Sequence, residues 1–292
     1  MKQLALIGDT LIHRLIYPAF INGFDQALMD KYGGWMKDMH AGSDGSPLDP
    51  EIRITAIVSK DPAAKEVAAV CGIPHIYTSA SELDVDTLDG ALVLEDDGTK
   101  HLAMAEPFLT RGKFVYIDKP VAASTADTAR MIEMATQSGA SFFGGSALRY
   151  SPKAKIIKDA LSERRPQYLT ISGPGHWLNY ACHNVELLDY IHGVKGAHVV
   201  AAGSEERGAV LVSCSDGLIC SIHFGAGHPP MFRVNAQFED GSVEWFIDDA
   251  IGYYRGLANE MVRMIRTGNA GDSATHMLDV TSVLEQGLLL LS

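Results

Sequence analysis

Five short apolar runs, Leu4–Gly8, Ile52–Val58, Gly90–Leu94, Lys113–Ile117 and Ser141–Phe143, recur along the first half of the chain with helix-like stretches between them. The runs are nearly continuous rather than alternating, the form taken by strands buried on both faces of a sheet. The intervening stretches are Pro62–Cys71, Lys100–Arg111 and Thr125–Ser138, the last with Ser124 placed as its N-cap. Repeated alternation of this kind predicts a parallel sheet with right-handed crossovers. Residues 1–150 therefore read as a doubly wound, Rossmann-type α/β domain. More than forty residues separate the first two runs, where such a unit needs one helix and a short turn. Leu11–Phe20 predicts that helix, and about 20–50 is then an insertion, either a lid or a surface elaboration.

The pattern changes at Tyr150-Ser151-Pro152. After a helix-like Lys153–Ser162 come period-two runs at Tyr168–Ser172, Val199–Gly203, Ala209–Ser215, Leu218–Phe224, Arg233–Phe238 and Ser242–Ile247, with Asp216-Gly217 and Asp240-Gly241 as hairpin turns. Residues 151–292 thus read as an α+β domain with a mainly antiparallel sheet. Leu178–Ile191, Ala250–Thr267 and Thr275–Leu291 predict helices that cover it, and the last is a candidate to return onto the first domain.

A chain of 292 residues can carry two cores. Its formal charge of −12 excludes nucleic acid and anionic membranes as electrostatic partners, since both require clustered Lys and Arg. Any phosphate group must be bound locally. Met1–Gly8 ends in Asp9-Thr10, too short for a signal segment or a membrane span, and a cytoplasmic location is expected. Cys71, Cys182, Cys214 and Cys220 show no disulfide or metal spacing and are expected as buried thiols.

Three segments carry chemistry. The fifth run leads into Asp118-Lys119-Pro120, delivering a lysine to the carboxyl end of the sheet, where open α/β sheets bind ligands. The first run leads into Gly8-Asp9-Thr10-Leu11-Ile12-His13, which keeps only the first glycine of the G-x-G-x-x-G dinucleotide fingerprint and sets the Asp9 carboxylate near the phosphates. The second run ends in Ser59-Lys60, where a hydroxyl and an inward-turned lysine would tolerate a 2′-phosphate. Glu95-Asp96-Asp97 reads as a helix N-cap rather than a cation site, and no metal is assigned to His176, Cys182 and His183.

His101, Gly112-Lys113 and Asp118-Lys119-Pro120 are similar to the stretch of the Gfo/Idh/MocA oxidoreductases that ends in Glu-Lys-Pro. Gly144 through Pro152 resembles that family's crossing into its second domain. The resemblance implies NAD or NADP as cofactor and a sugar, cyclitol or similar small polar substrate, with Lys119 beside both. Gly8, Asp9, Thr10, Ser59, Lys60, Asp118, Lys119 and Pro120 are the expected cofactor contacts. The family's Asp, then His four residues later, then Asp three further on, reads here as Asn179, His183 and Glu186. Lys119, His183 and Asn179 are accordingly the catalytic candidates, with Arg149, Tyr180 and Glu186 at the substrate. Residues i and i+4 share a helix face, and an imidazole suits proton transfer near neutral pH. An amide at 179 cannot charge-stabilise an imidazolium. The resemblance also implies dimers or tetramers, formed through an exposed sheet face carrying Val212, Cys214, Ile219 or their neighbours. Two functions stay open: an NAD(P)-dependent oxidoreductase, and a relative that binds a sugar-like ligand or a partner without redox turnover.

Overall fold

The computed structural model describes residues 1–9, 11–32, 38, 40, 43–228, 231–268 and 273–292. The chain divides into two compact units. Unit one comprises Met1–Asp118, Arg130–Gly144 and Tyr254–Gly271, and unit two comprises Lys119–Ala129, Gly145–Tyr253 and Asp272–Ser292.

Unit one is built on six strands, β1 (Lys2–Ile7), β2 (Ile52–Val58), β3 (His75–Tyr77), β4 (Gly90–Val93), β5 (Phe114–Ile117) and β6 (Phe142–Gly144), in the order β3-β2-β1-β4-β5-β6 with every pairing parallel. This is the doubly wound order in which β1 and β4 flank the point where the winding reverses. β4, β5 and β6 are buried at every residue, which accounts for their unbroken apolar sequences. β3 escapes that signal because His75 and Ile76 are exposed on a three-residue edge strand. Among the described residues, helices that follow strands or lie in the insertion are α1 (Leu11–Asn22), α2 (Gln26–Tyr32), α3 (Ala64–Cys71) and α4 (His101–Leu109). Among its described residues the insertion contains α2, and it rejoins the core where Leu48 N–H bonds Phe20 O and Asp49 pairs with Arg266.

α5 (Thr125–Ser138) runs through the boundary between the segments of the two units. Unit two carries α6 (Pro152–Glu163), β7 (Tyr168–Pro174), α7 (Cys182–Ile191), β8 (His198–Ser204), β9 (Arg207–Ser213), β10 (Ile219–Gly225), β11 (Phe232–Phe238) and β12 (Gly241–Ile247). The sheet order is β12-β11-β7-β10-β9-β8, antiparallel except for the parallel β7/β10 pair. One face buries Leu169, Ile171, Val210, Val212, Cys220, Ile222 and Val234 in a core shared with α6, α7 and the C-terminal helix. α8 (Ala250–Thr267) contributes Tyr254 onward to unit one, whereas α9 (Ser273–Leu291) packs Val280, Val283 and Leu284 into unit two. The helix that returns to the first unit is thus the penultimate one, not the last. All four cysteines are buried and free, with burial pushing the Cys214 thiol up to about 11 and Cys71 and Cys220 higher still. Among the described residues, no helix is long and apolar enough to cross a membrane.

Candidate functional site

At the carboxyl end of β1, Gly8 has φ +125°, and a Cβ there would lie 2.2 Å from the Leu94 carbonyl oxygen. The glycine is dictated by the close approach of the segment after β4. Asp9 is not the unpaired charge that its place in the sequence suggested. Ser59, at the end of β2, donates its hydroxyl to the Asp9 carboxylate, and Arg14 on the second turn of α1 approaches the same oxygen at 3.4 Å. The Arg14 guanidinium is wholly buried and also donates to Ser59 Oγ at 2.8 Å and to Asp61 Oδ2 at 2.7 Å. That pairing holds the Asp61 carboxyl below the usual carboxylate range. Lys60 is exposed rather than turned inward, and Thr10 lies outside the described residues.

This donor set fits a dinucleotide. A positive-φ glycine leads within three residues to the N-terminus of α1, whose first-turn N–H groups need acceptors such as pyrophosphate. The part-exposed carboxylates of Asp9 and Asp61 offer acceptors to ribose hydroxyls. Arg14, the cation of the cluster, is buried and already shared between two carboxylates, so a 2′-phosphate would draw on exposed Lys60 instead.

Asp118 ends β5 with its carboxylate almost wholly buried. His13 Nδ1–H donates to one oxygen, and Tyr116 O–H lies 3.3 Å from the other. His13 Nε2 in turn sits 3.0 Å from the Tyr254 hydroxyl. Asp118, expected against the cofactor, is instead bound into a buried network. His13 occupies the place of the fingerprint's last glycine. The signal for both His13 and Arg14 was present as two adjacent polar residues in an otherwise apolar helix, LIHRLIYPAFIN.

In unit two, Lys119 Nζ donates to the backbone oxygen of Asn179 at 3.1 Å and lies 6.0 Å from the Tyr180 ring centroid. Tyr180 meets the His183 ring edge-on at 5.4 Å, and Phe232 does so at the same distance. Lys119, Asn179, Tyr180 and His183 are thereby gathered in one place. Their backbone is not the expected uniform helix. Trp177–Ala181 forms a π-helical turn, closed by Ala181 N–H on His176 O at 2.8 Å, before α7 begins at Cys182. Such wide turns are common at functional sites. Buried Trp177 pins the turn by donating its indole N–H to Leu284 O at 2.9 Å. Because of this turn, Asn179 contributes its carbonyl to Lys119, and it is not the side chain that holds His183.

That role falls to Ser146, whose Oγ is 2.6 Å from His183 Nδ1. Glu186 and Arg149, placed at the substrate by the sequence reading, are committed to each other. Glu186 is fully buried, with Arg149 Nε at 3.2 Å and Ser146 N–H at 3.3 Å, while Arg149 Nη2 pairs with Asp189. Burial, against the opposing pull of Arg149, raises the Glu186 carboxyl to about 7. Gly145 makes room for it: at φ +113°, a Cβ there would lie 2.0 Å from Glu186 Oε1. Pro120 is buried after Lys119. The acidic cluster resolves into loop bonds, with Asp97 accepting from Thr99 and Glu95 O from His101 Nε2, so that α4 starts at His101 without a side-chain cap. The expected N-cap is absent because Asp97 closes the turn one step earlier. Among the described residues, no cluster of His, Cys, Asp or Glu could hold a metal ion.

Residues 32–146 match the family model described as an oxidoreductase family with an NAD-binding Rossmann fold. Myo-inositol 2-dehydrogenase of Thermotoga maritima is 26% identical over 159 residues, 48% of this chain and 47% of that protein. The match thus spans about half the length of that curated relative. Among solved structures, GenD2 from gentamicin A biosynthesis, in complex with NAD, superposes with a TM-score of 0.78 at 15% identity, covering 100% of this chain and 94% of that one. KijD10, a 3-ketoreductase from Actinomadura kijaniata in complex with TDP-benzene and NADP, gives 0.75 at 15% identity over 98% and 96%. These two likenesses establish a shared fold.

Proposed function

We propose that the chain is a member of the Gfo/Idh/MocA oxidoreductases, whose family model matches residues 32–146, and that it oxidises a hydroxyl of a sugar, cyclitol or similar small polar molecule with NAD, or reduces the corresponding carbonyl. The observation that carries this reading is the gathering of Lys119, Tyr180 and His183, held by a π-helical turn and a buried serine, in a chain whose unit one keeps a dinucleotide-type turn. Bound NAD supplies the hydride acceptor. Gly8 and the start of α1 would hold its pyrophosphate, and Asp9 and Asp61 would take its ribose hydroxyls. Lys119, buried and donating from Nζ to the Asn179 carbonyl, hydrogen-bonds the reacting oxygen, taking its proton in oxidation and returning it in reduction. His183 contacts the same substrate, with Tyr180 as an apolar wall beside it.

The names of two proteins that the chain is similar to, a myo-inositol 2-dehydrogenase and a 3-ketoreductase in complex with TDP-benzene and NADP, support this reading. The reading carries with it a cytoplasmic location and a dimer or tetramer formed through the outer face of the unit-two sheet. It is tested by titrating the protein with NADH and NADPH while following nicotinamide fluorescence, then assaying cyclitols and aldoses for NAD reduction. The competing reading, a ligand-binding relative without turnover, draws on His13 in the last-glycine place and the amide at 179. Failure to bind NADH at millimolar concentration would select it.

A further inference from the structure

We infer that Ser146 is a positioning residue that fixes the neutral His183 side chain as its Nε2–H tautomer, so that His183 serves the substrate as a hydrogen-bond donor and leaves proton transfer to Lys119. The observation is the pairing of a buried hydroxyl with an imidazole where a carboxylate partner would ordinarily be sought. Ser146 is almost wholly buried, and water cannot satisfy its O–H. Its oxygen already accepts the Leu148 N–H at 3.1 Å as the cap of the turn Ala147–Tyr150. Among the described residues, the acceptor within reach of its single proton is His183 Nδ1 at 2.6 Å.

If Nδ1 carried the imidazole proton, the Ser146 oxygen would face two donors and its own proton would be stranded in the interior. The cost of an unsatisfied buried donor biases the tautomer ratio by roughly tenfold or more. A carboxylate has the opposite preference, since it only accepts and therefore demands Nδ1–H. Replacing a carboxylate by a hydroxyl does more than weaken the partner: it turns the imidazole's donor face around. Phe232 and Tyr180, packed edge-on against the ring, resist a compensating flip.

The chemical consequence follows from proton balance. A neutral Nε2–H imidazole that gave up its proton would become an imidazolate, or would draw a proton from Ser146 and leave an alkoxide, and neither is accessible near neutral pH. His183 can therefore polarise and orient the substrate oxygen but not accept its proton at Nε2. For alcohol oxidation, the hydride leaves carbon to the cofactor and the hydroxyl proton passes to the neutral Lys119 amine. Carbonyl reduction runs the same transfers backwards from the Lys119 ammonium. Neutral histidines acting as electrophiles beside a separate base are a known solution in enzymes.

The inference rests on the reading of His183 as a substrate-facing group, but its test needs neither cofactor nor substrate. Uniformly 15N-labelled protein is studied by long-range proton–nitrogen correlation, with the His183 signals identified by their loss in His183→Gln. The expected result is an Nε2–H to Nδ1–H ratio of about ten or more in the neutral imidazole. Ser146→Ala should collapse that ratio towards the mixture of a solvated histidine, and Ser146→Thr should restore it. A dominant Nδ1–H tautomer in the unmodified protein overturns the inference even if Ser146→Ala fails to fold, as does an unchanged ratio in a folded Ser146→Ala. NADH binding, measured separately, reports on the oxidoreductase reading alone.

Discussion

His13 donates to the buried carboxylate of Asp118 across 105 residues of sequence, and it does so from the position where a dinucleotide fingerprint carries its last glycine. The glycine's usual purpose is close packing of the first helix on the sheet. Here an imidazole takes that place and bonds a carboxylate that is almost wholly buried. His13→Ala should cost about 3–5 kcal/mol, the usual penalty for stranding one member of a buried pair. His13→Ala combined with Asp118→Leu should recover a good part of it. Thermal unfolding of the three variants and the parent checks this, and a drop of under about 1 kcal/mol for His13→Ala would show that Asp118 has another sufficient partner.

Glu186 sets a pH dependence whose sign is unusual for a carboxylate in an ion network. Its folded value is raised from 4.5 to about 7, with burial as the leading cause. A raised folded value means the native state holds the proton more tightly than the unfolded chain. The associated stability is fully present below about pH 4.5 and is lost as pH rises through about 7. A shift of this size corresponds to about 3 kcal/mol across the window. Chemical denaturation at pH 5 and pH 8 should show the parent losing stability upward, and Glu186→Gln losing appreciably less. A parent that gains stability over the same interval would mean that Arg149 keeps Glu186 ionised.

Cofactor choice follows from the Asp9, Ser59, Arg14 and Asp61 cluster. Two carboxylates on one buried guanidinium leave the cluster net negative, so NADH should bind at least about tenfold more tightly than NADPH, the size of effect expected from one like-charge contact. Asp9→Ser should narrow the gap by releasing half of Arg14's compensation, mainly through tighter NADPH binding. Fluorescence titration at two salt concentrations gives both constants. Equal affinities in the parent would remove the argument from charge.

The contrast between what the sequence disclosed and what it concealed has a physical basis. Buried parallel strands such as β4 and β5 announce themselves as short apolar runs because both faces are covered, and the hairpins of unit two announce themselves through Asp216-Gly217 and Asp240-Gly241. Edge strand β3 has no such pattern. Lys119, Asn179 and His183 were identifiable as residues, but the π-helical turn that makes Asn179 serve through its carbonyl depends on Trp177 reaching Leu284, 107 residues away. Ser146 and Arg14 owe their roles to pairings 37 and 45 residues distant, and local pattern carries no trace of such partners. Which alternate set of the second sheet faces outward was likewise open. Val212 and Cys214 prove buried, and Ile219 lies on the outer face.

At Lys119, substitution by alanine should lower turnover by about 10²–10⁴-fold while leaving the NADH dissociation constant within about threefold, because positioned proton transfer is worth that much and the proposed function sets the residue at the substrate rather than at the dinucleotide turn. Asn179→Asp is the informative control. The amide side chain does not hold His183, and the carbonyl that binds Lys119 survives any substitution. Turnover of Asn179→Asp should stay within a few-fold of the parent. A large gain would indicate that a carboxylate at 179 can reach the imidazole and displace Ser146.

The outer face of the unit-two sheet carries the proposed association. Leu211 stands opposite Val200, and Ile219 stands opposite Tyr168, across adjacent strand pairs, and all four side chains are roughly half exposed. Together the two pairs place an apolar band, broken by Ser213 and Ser221, on β8, β9, β10 and β7, and apolar surface of this kind is an interface candidate. A charge placed within a symmetric interface meets its own copy, so Leu211→Glu would set two carboxylates against each other in an apolar contact. Light scattering at micromolar concentration should find the parent as a dimer or tetramer and Leu211→Glu as a smaller species with an unchanged unfolding midpoint for the monomeric fold. A monomeric parent would mean that the band is tolerated by water or serves a different partner.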